Sequence, residues 1–463
     1  MAAATAPAEP LRELPDRVLR TLEAYDIPSS VFSAYVHRVG EDKPLLSVNQ
    51  DQARNPASTI KLLTTFLALE ELGPTYRWKT EAYLGGELRD ARLEGDLHIK
   101  GYGDPYLVTE RLWLFQRVLR QRGLKHIGGD LVIDNTHFAL EPEDPGAFDG
   151  QNLRTYNVVP DALLVNFQAI NFVFRPDRLT NTVDIVADPM PVNLDIRNHI
   201  KLANGRCGGY QNGINVAVTD PSKADQVTFT GRYGRDCPEY RLSRAVMPAP
   251  DYAYGVFRGL WEEGGGTIDG RLRTEAVPED LEPFARADSP PLSEVIRAVN
   301  KWSNNVMTRH ILLTLGAEAF GPPATVAKGR EAASMFLGRR GLDFPELRLD
   351  NGSGLSRDTR IAARSMGRLL LAAQDSLYQA EFVSSMALAG LDGTMRRRFR
   401  NDDLTGRMHI KTGRLNGVFA MAGYLVSERD QEYVFVAILN HPDAHRGPGE
   451  EAQSALLRWV YRQ

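Results

Sequence analysis

Three short words in a fixed order constrain this chain more than anything else in it: Ser58-Thr59-Ile60-Lys61, Ser303-Asn304-Asn305 and Lys411-Thr412-Gly413. Each sits in a different local setting. Residues 55–72 read N-P-A-S-T-I-K-L-L-T-T-F-L-A-L-E-E-L, with apolar side chains at helical spacing and Gly73-Pro74 as a stop. The second word falls on a break between two helical patterns, 292–299 and 306–315. The third opens a strand, 408–413, which leads through Gly417 into 417–426 and returns, after a polar turn, along 433–440 as an antiparallel hairpin. A fold that unites the words must bring a helix start, an interhelical break and a strand to one place. Ser58 and Ser303 lie 245 residues apart, whereas Ser303 and Lys411 lie 108 apart, so the spacing predicts an insertion between the first two words.

The residue types point to acyl transfer. S-x-x-K, S-x-N and K-T-G together form the set found in serine enzymes that act on D-alanyl peptides and β-lactams. Ser58 and Lys61, three apart at a helix start, share a face. A serine hydroxyl is a poor nucleophile until a base takes its proton. Lys61 serves only if its pKa falls through burial or a neighbouring cation, and Lys411 is the cation the motifs supply. Ser303 can relay a proton to a leaving amine, and the Asn305 amide can hold Lys61 and a substrate carbonyl. Lys411 and Thr412 suit a carboxylate, and Gly413 permits close backbone approach along an added substrate strand.

With these residues in hand, the chain resembles the class C low-molecular-mass penicillin-binding proteins, the penicillin-binding protein 4 type D-alanyl-D-alanine carboxypeptidases/endopeptidases. The resemblance runs through P-A-S-T-I-K-L-L-T-T (56–65), L-G-P-T-Y-R-W-K-T (72–80), H-I-K-G-Y-G-D-P-Y-L (98–107), I-G-G-D-L-V-I-D (127–134), Y-N-V-V-P-D-A-L (156–163), D-N-G-S-G-L-S-R (350–357), L-D-G-T-M-R-R-R (391–398) and K-T-G-R-L-N-G-V (411–418). It implies an α/β fold of the penicillin-binding protein/β-lactamase-like serine transpeptidase type with two inserted β-rich domains. It implies a secreted or periplasmic hydrolase that acts on peptidoglycan peptides, is acylated by β-lactam antibiotics, and needs no cofactor or metal. By the same resemblance Ser58 is the nucleophile, Lys61 the base, and Ser303, Asn305 and Lys411 complete the catalytic set. Lys411 and Thr412 bind the terminal carboxylate, the backbone N–H groups of Ser58 and residue 414 form an oxyanion hole, and Thr412, Gly413 and Arg414 are the candidate substrate-binding residues. Arg414 departs from the family, whose members carry a small hydroxyl residue there; the arginine is either a second carboxylate clamp or a solvent-facing side chain.

Composition narrows the class further. At 463 residues the chain has room for about three domains. A net charge of -4 leaves no basic footprint for nucleic acid. No run approaches the roughly 18 apolar residues of a membrane span, so any envelope association is expected to be peripheral. The first ten residues lack a charged n-region and an apolar h-region, which points to the cytoplasm; the resemblance points to export, with a signal peptide removed and Met1 added. Cys207 and Cys237 are the only cysteines. They read equally as a disulfide of an oxidising compartment or as two buried thiols.

Between the first two words the pattern turns β-rich from about residue 82, interrupted by one predicted helix at 109–122. Helical pattern resumes at Leu292, and a final helix is expected over 450–462. The expected domains are 1–81 with 285–463 for the peptidase, 82–165 with 246–284 for a first insert, and 166–245 for a second. Other sites are weaker. There is no G-x-S-x-G elbow and no H-E-x-x-H, so His310 and His409 read as packed or surface residues. Gly101-Tyr102-Gly103-Asp104-Pro105 reads as a turn, Asp350 and Asp392 as structural, and Arg396-Arg397-Arg398 as a solvated face or a contact for anionic cell-wall polymer. Two further function classes stay open: a cell-wall binding or scaffolding protein with weak turnover, and a β-lactamase, although the E-x-x-L-N segment that supplies a hydrolytic glutamate in class A enzymes is missing.

Overall fold

A computed structural model of the chain describes residues 9–204, 207–208, 213–219 and 225–463. The chain divides into two compact units, one formed by its beginning up to Tyr76 together with Pro291–Gln463, the other by Arg77–Pro290.

The first unit is built on a six-stranded antiparallel sheet. Its strands run in the order Ala387–Leu388, Met408–Leu415, Val418–Val426, Glu432–Asn440, Phe32–Arg38 and Leu46–Val48. The central strands are apolar at almost every position, as a sheet covered on both faces requires. One face packs on helices Asp16–Glu23 and Pro448–Tyr461 through Phe32, Val36, Met421, Phe435, Leu456 and Val460. The other meets helix Ala363–Gln374: Tyr424 donates to the Leu370 carbonyl at 2.7 Å, and Gly367 leaves room for the Tyr35 ring.

Beside the sheet lies a helical layer. Helix Lys61–Leu72 is buried from Lys61 through Leu69, so its apolar residues run all round rather than along a stripe. Burying each of Leu62, Leu63, Phe66 and Leu67 stabilises the fold by about 1.5–3 kcal/mol. It packs against Leu292–Trp302 and Asn305–Phe320. Helix Asn305–Phe320 in turn meets Val326–Arg339, where Gly316 and Gly329 let the backbones approach.

The second unit is β-rich. A seven-stranded mixed sheet contains Lys79–Arg89, Arg92–Gly101 and Pro283–Asp288 among its strands. Two three-stranded sheets follow, Tyr240–Arg244/Ile170–Asp177/Thr182–Asp188 and Ile214–Val218/Gln226–Gly234/Asp195–Ala203. Phe172 and Phe174 of one meet Phe229 of the other edge to face. Cys207 and Cys237 are joined as a disulfide. The single helix expected in this stretch is observed at Thr109–Gln121, but a second, Ala249–Glu263, follows the small sheets. The prolines of Pro248-Ala249-Pro250 occupy its start, where a missing N–H costs nothing.

Candidate active site

Ser58 does not sit in the α-helix proper. Ala57–Ile60 form a 3-10 turn and the α-helix starts at Lys61. Ala57, just before the serine, is held at φ +46°, a left-handed conformation that costs a non-glycine residue on the order of 1–3 kcal/mol. Asn55 enforces it. Its side-chain oxygen accepts from Ala57 N at 2.9 Å, while its own backbone is clamped by the Asn440 amide through bonds of 2.8 and 3.0 Å. The hydroxyl of Ser58 is thereby presented at the surface of a rigid turn and remains partly exposed.

Lys61 is completely buried and points back at the serine. Its Nζ lies 3.1 Å from Ser58 Oγ and 2.7 Å from Asn305 Oδ1, and it also donates to the Ser353 carbonyl. Burial is the larger cause that pushes its pKa far below the usual lysine value; repulsion from Lys411 adds to it. The sequence names burial and a neighbouring cation as the two possible causes but shows only the cation, because Lys411 is visible as a motif and burial is not.

The second word forms the expected break. Ser303 ends helix Leu292–Trp302 with φ +59°, and Asn304 caps the next helix, accepting from Met307 N at 3.1 Å. The turn delivers Ser303 Oγ to Lys411 Nζ at 2.9 Å, while Asn305 reaches Lys61. Lys411 is also fully buried, and burial pushes its pKa down to about 7. Gly413 is needed where it stands: a Cβ there would come within 2.6 Å of the Pro56 carbonyl and 3.0 Å of Ser58 N. The Lys411 strand therefore lies directly against the Ser58 turn.

Thr412 is partly exposed and donates to Thr394 Oγ1 at 3.0 Å, which sets a hydroxyl from the 391–395 segment beside it. Arg414 is exposed and donates to the His445 carbonyl at 2.5 Å. Asp392 pairs with Lys301 at 2.5 Å, and Asp350 with Arg330 at 2.6 Å. Arg396 and Arg397 face solvent, but Arg398 departs from the expected solvated run: it packs against Phe399 and Phe419 and pairs with Glu450 at 2.9 Å. His310 is buried within its helix, and burial lowers the pKa of His409. Asp104 closes the Gly103 turn by accepting from Tyr106 N at 2.8 Å.

One contributor was not singled out from the sequence. The 350–357 segment places Ser353 O on Lys61, and a Cβ on Gly354 would strike the Ala57 carbonyl at 2.0 Å. Glycines and small polar residues in a row signal a tight turn but not which carbonyl it aims inward. Among the described residues no cluster of His, Cys, Asp or Glu could hold a metal, and no helix is long and apolar enough to cross a membrane.

Residues 16–462 match the model of the D-Ala-D-Ala carboxypeptidase 3 (S13) family. The chain belongs to that family. It is 28% identical over 450 residues to the D-alanyl-D-alanine carboxypeptidase of Actinomadura sp. (strain R39), covering 95% of this chain and 82% of that one. It is 25% identical over 388 residues to D-alanyl-D-alanine carboxypeptidase DacB of Haemophilus influenzae, covering 83% and 80%. Penicillin-binding protein 4 from H. influenzae superposes with a TM-score of 0.80 at 22% identity, over 97% of this chain and all of that one. The S13 chain thus has the penicillin-binding α/β fold with extra β-rich structure. It is a hydrolase of the D-alanyl-D-alanine carboxypeptidase class.

Proposed function

We propose that this S13 enzyme cleaves the D-alanyl-D-alanine end of peptidoglycan stem peptides through an ester on Ser58. The observation that carries the reading is the pair of lysine contacts: Lys61 on Ser58 and Asn305, Lys411 on Ser303. Ser58 Oγ attacks the peptide carbonyl carbon as its proton passes to neutral Lys61. The backbone N–H groups of Ser58 and Arg414 hold the developing oxyanion. The proton then reaches the leaving amine through Ser303, the C–N bond breaks, and D-alanine departs. Water attacks the ester by the same steps in reverse roles and frees the serine. Lys411, Thr412 and Thr394 receive the terminal carboxylate, and binding that anion favours the charged form of Lys411. A β-lactam enters the same chemistry, but its leaving nitrogen stays tethered in the ester, which slows release.

The partners of this reading are peptidoglycan peptides and β-lactams, and its compartment is extracytoplasmic. The bonded cysteines support an oxidising compartment, and a β-lactam complex is known for the H. influenzae protein. We also read the insert as two domains, 82–165 with 246–284 and 166–245. In support, the two small sheets are drawn from 170–244, whereas the larger sheet draws on both flanking stretches.

Intact-mass analysis after incubation with benzylpenicillin tests the assignment. The expected result is a persistent adduct on Ser58, absent in Ser58→Ala, with peptide cleavage lost by several orders of magnitude. No adduct supports a scaffolding role, rapid turnover of penicillin supports a β-lactamase, and an adduct retained in Ser58→Ala overturns the nucleophile.

A further inference from the structure

Lys61 nitrogen has three hydrogen-bond neighbours, Ser58 Oγ, Asn305 Oδ1 and the Ser353 carbonyl. As an ammonium it donates to all three. As the free amine it has two N–H groups and one lone pair, so one of the three contacts must reverse. A carbonyl oxygen only accepts, and Asn305 presents its amide oxygen. Ser58 is the neighbour with a hydrogen to give. With the other two corners of the tetrahedral nitrogen satisfied, the lone pair is left facing the serine O–H.

The Ser353 corner is built, not incidental. Asn351 Oδ1 accepts from Ser353 N at 3.0 Å and from Ser353 Oγ at 2.8 Å, and Asn351 Nδ2 donates to the Leu355 carbonyl at 3.0 Å. Ser353 Oγ accepts from Leu355 N at 3.2 Å. Thr64 Oγ1 donates to the Gly352 carbonyl at 2.9 Å, tying the turn to the Lys61 helix one turn on. Gly352 and Gly354 both have φ above +70°, so the chain doubles back around a fully buried Ser353.

We propose that Asn351 is a positioning residue for acylation: by holding the Ser353 carbonyl on Lys61 it fixes the lysine lone pair toward Ser58. This rests on the reading of Lys61 as the base. Misdirecting a base by a fraction of an ångström leaves ligand affinity alone and slows the chemical step, by about 100-fold for shifts near 1 Å.

The test is the concentration dependence of acylation of the full chain by a fluorescent penicillin, which separates the saturating rate from the dissociation constant, with thermal unfolding alongside. Asn351→Ala is expected to lower the saturating rate about 100-fold, with the dissociation constant held within about threefold. Asn351→Asp keeps the acceptor for Ser353 N–H and Oγ–H and loses the Leu355 bond. On the alkaline plateau it is expected to recover the rate to within about tenfold of the unsubstituted chain. Its acid limb should move to higher pH, because a new carboxylate opposes the effect of Lys411 on Lys61. An undiminished rate in Asn351→Ala, a loss confined to the dissociation constant, or Asn351→Asp as slow as Asn351→Ala overturns the positioning role. Absence of any Ser58 adduct in the unsubstituted chain overturns the parent reading as well, so the two failures are distinguishable.

Discussion

At the residue scale the site is two lysines buried away from bulk solvent. Both are fully buried, and both have depressed pKa values. The sign of a pH prediction follows from the direction of each cause, and its extent from which is larger. Lys61 must be neutral to take the Ser58 proton, so activity falls as pH drops through its pKa. Burial depresses that pKa most, and Lys411 depresses it further. Lys411→Ala removes only the repulsion. The acid limb of acylation should move to higher pH without reaching that of an ordinary lysine, since the burial remains. Cleavage of free-carboxylate peptides should fall about 100-fold, and amidated peptides should suffer less. Rates across pH on such a matched pair check both parts; an acid limb at or below its original position would contradict the coupling.

At the element scale the site depends on a strand lying against a turn. Gly413 of strand Met408–Leu415 faces the Pro56 carbonyl and Ser58 N, with no room for a methyl group. The obstacle is backbone, which cannot rotate away as a side chain can. Gly413→Ala should therefore push the strand from the Ser58 turn and cut acylation about 100-fold. The hairpin partner Val418–Val426 is buried almost throughout and should hold the fold. Acylation kinetics with circular dichroism would show this; wild-type acylation in a folded variant would mean the turn gives way instead. The 350–357 turn teaches the same lesson from the other side, because Gly354 lies against the Ala57 carbonyl.

At the scale of the whole molecule, each unit carries its own core, and the second adds a covalent tie. The Cys207–Cys237 bond spans 30 residues. In the chain-entropy view a loop of that size stabilises the folded state by about 3–4 kcal/mol. Reduction, or Cys207→Ala with Cys237→Ala, should lower unfolding stability by about 2–4 kcal/mol. Denaturant titration with and without reductant measures it, and an unchanged midpoint would show that the tie is thermodynamically idle.

What the sequence determined alone was local or periodic. Helical spacing located Lys61–Leu72 and Pro448–Tyr461, and two apolar runs joined by a polar turn located the hairpin Val418–Val426/Glu432–Asn440. The order and spacing of the three words named Ser58, Lys61, Ser303, Asn305 and Lys411, which the structure gathers into two hydrogen-bonded groups, Lys61 with Ser58 and Asn305, and Lys411 with Ser303. Only tertiary structure decided the rest. Burial of Lys61 on every side is a property of the packed helices around it, and no window of sequence contains them all. The Ser353 carbonyl reaches Lys61 across 292 residues of chain. Backbone atoms carry no residue identity, so a turn that aims a carbonyl into a site reads like any other glycine-rich turn until the chain has folded around it.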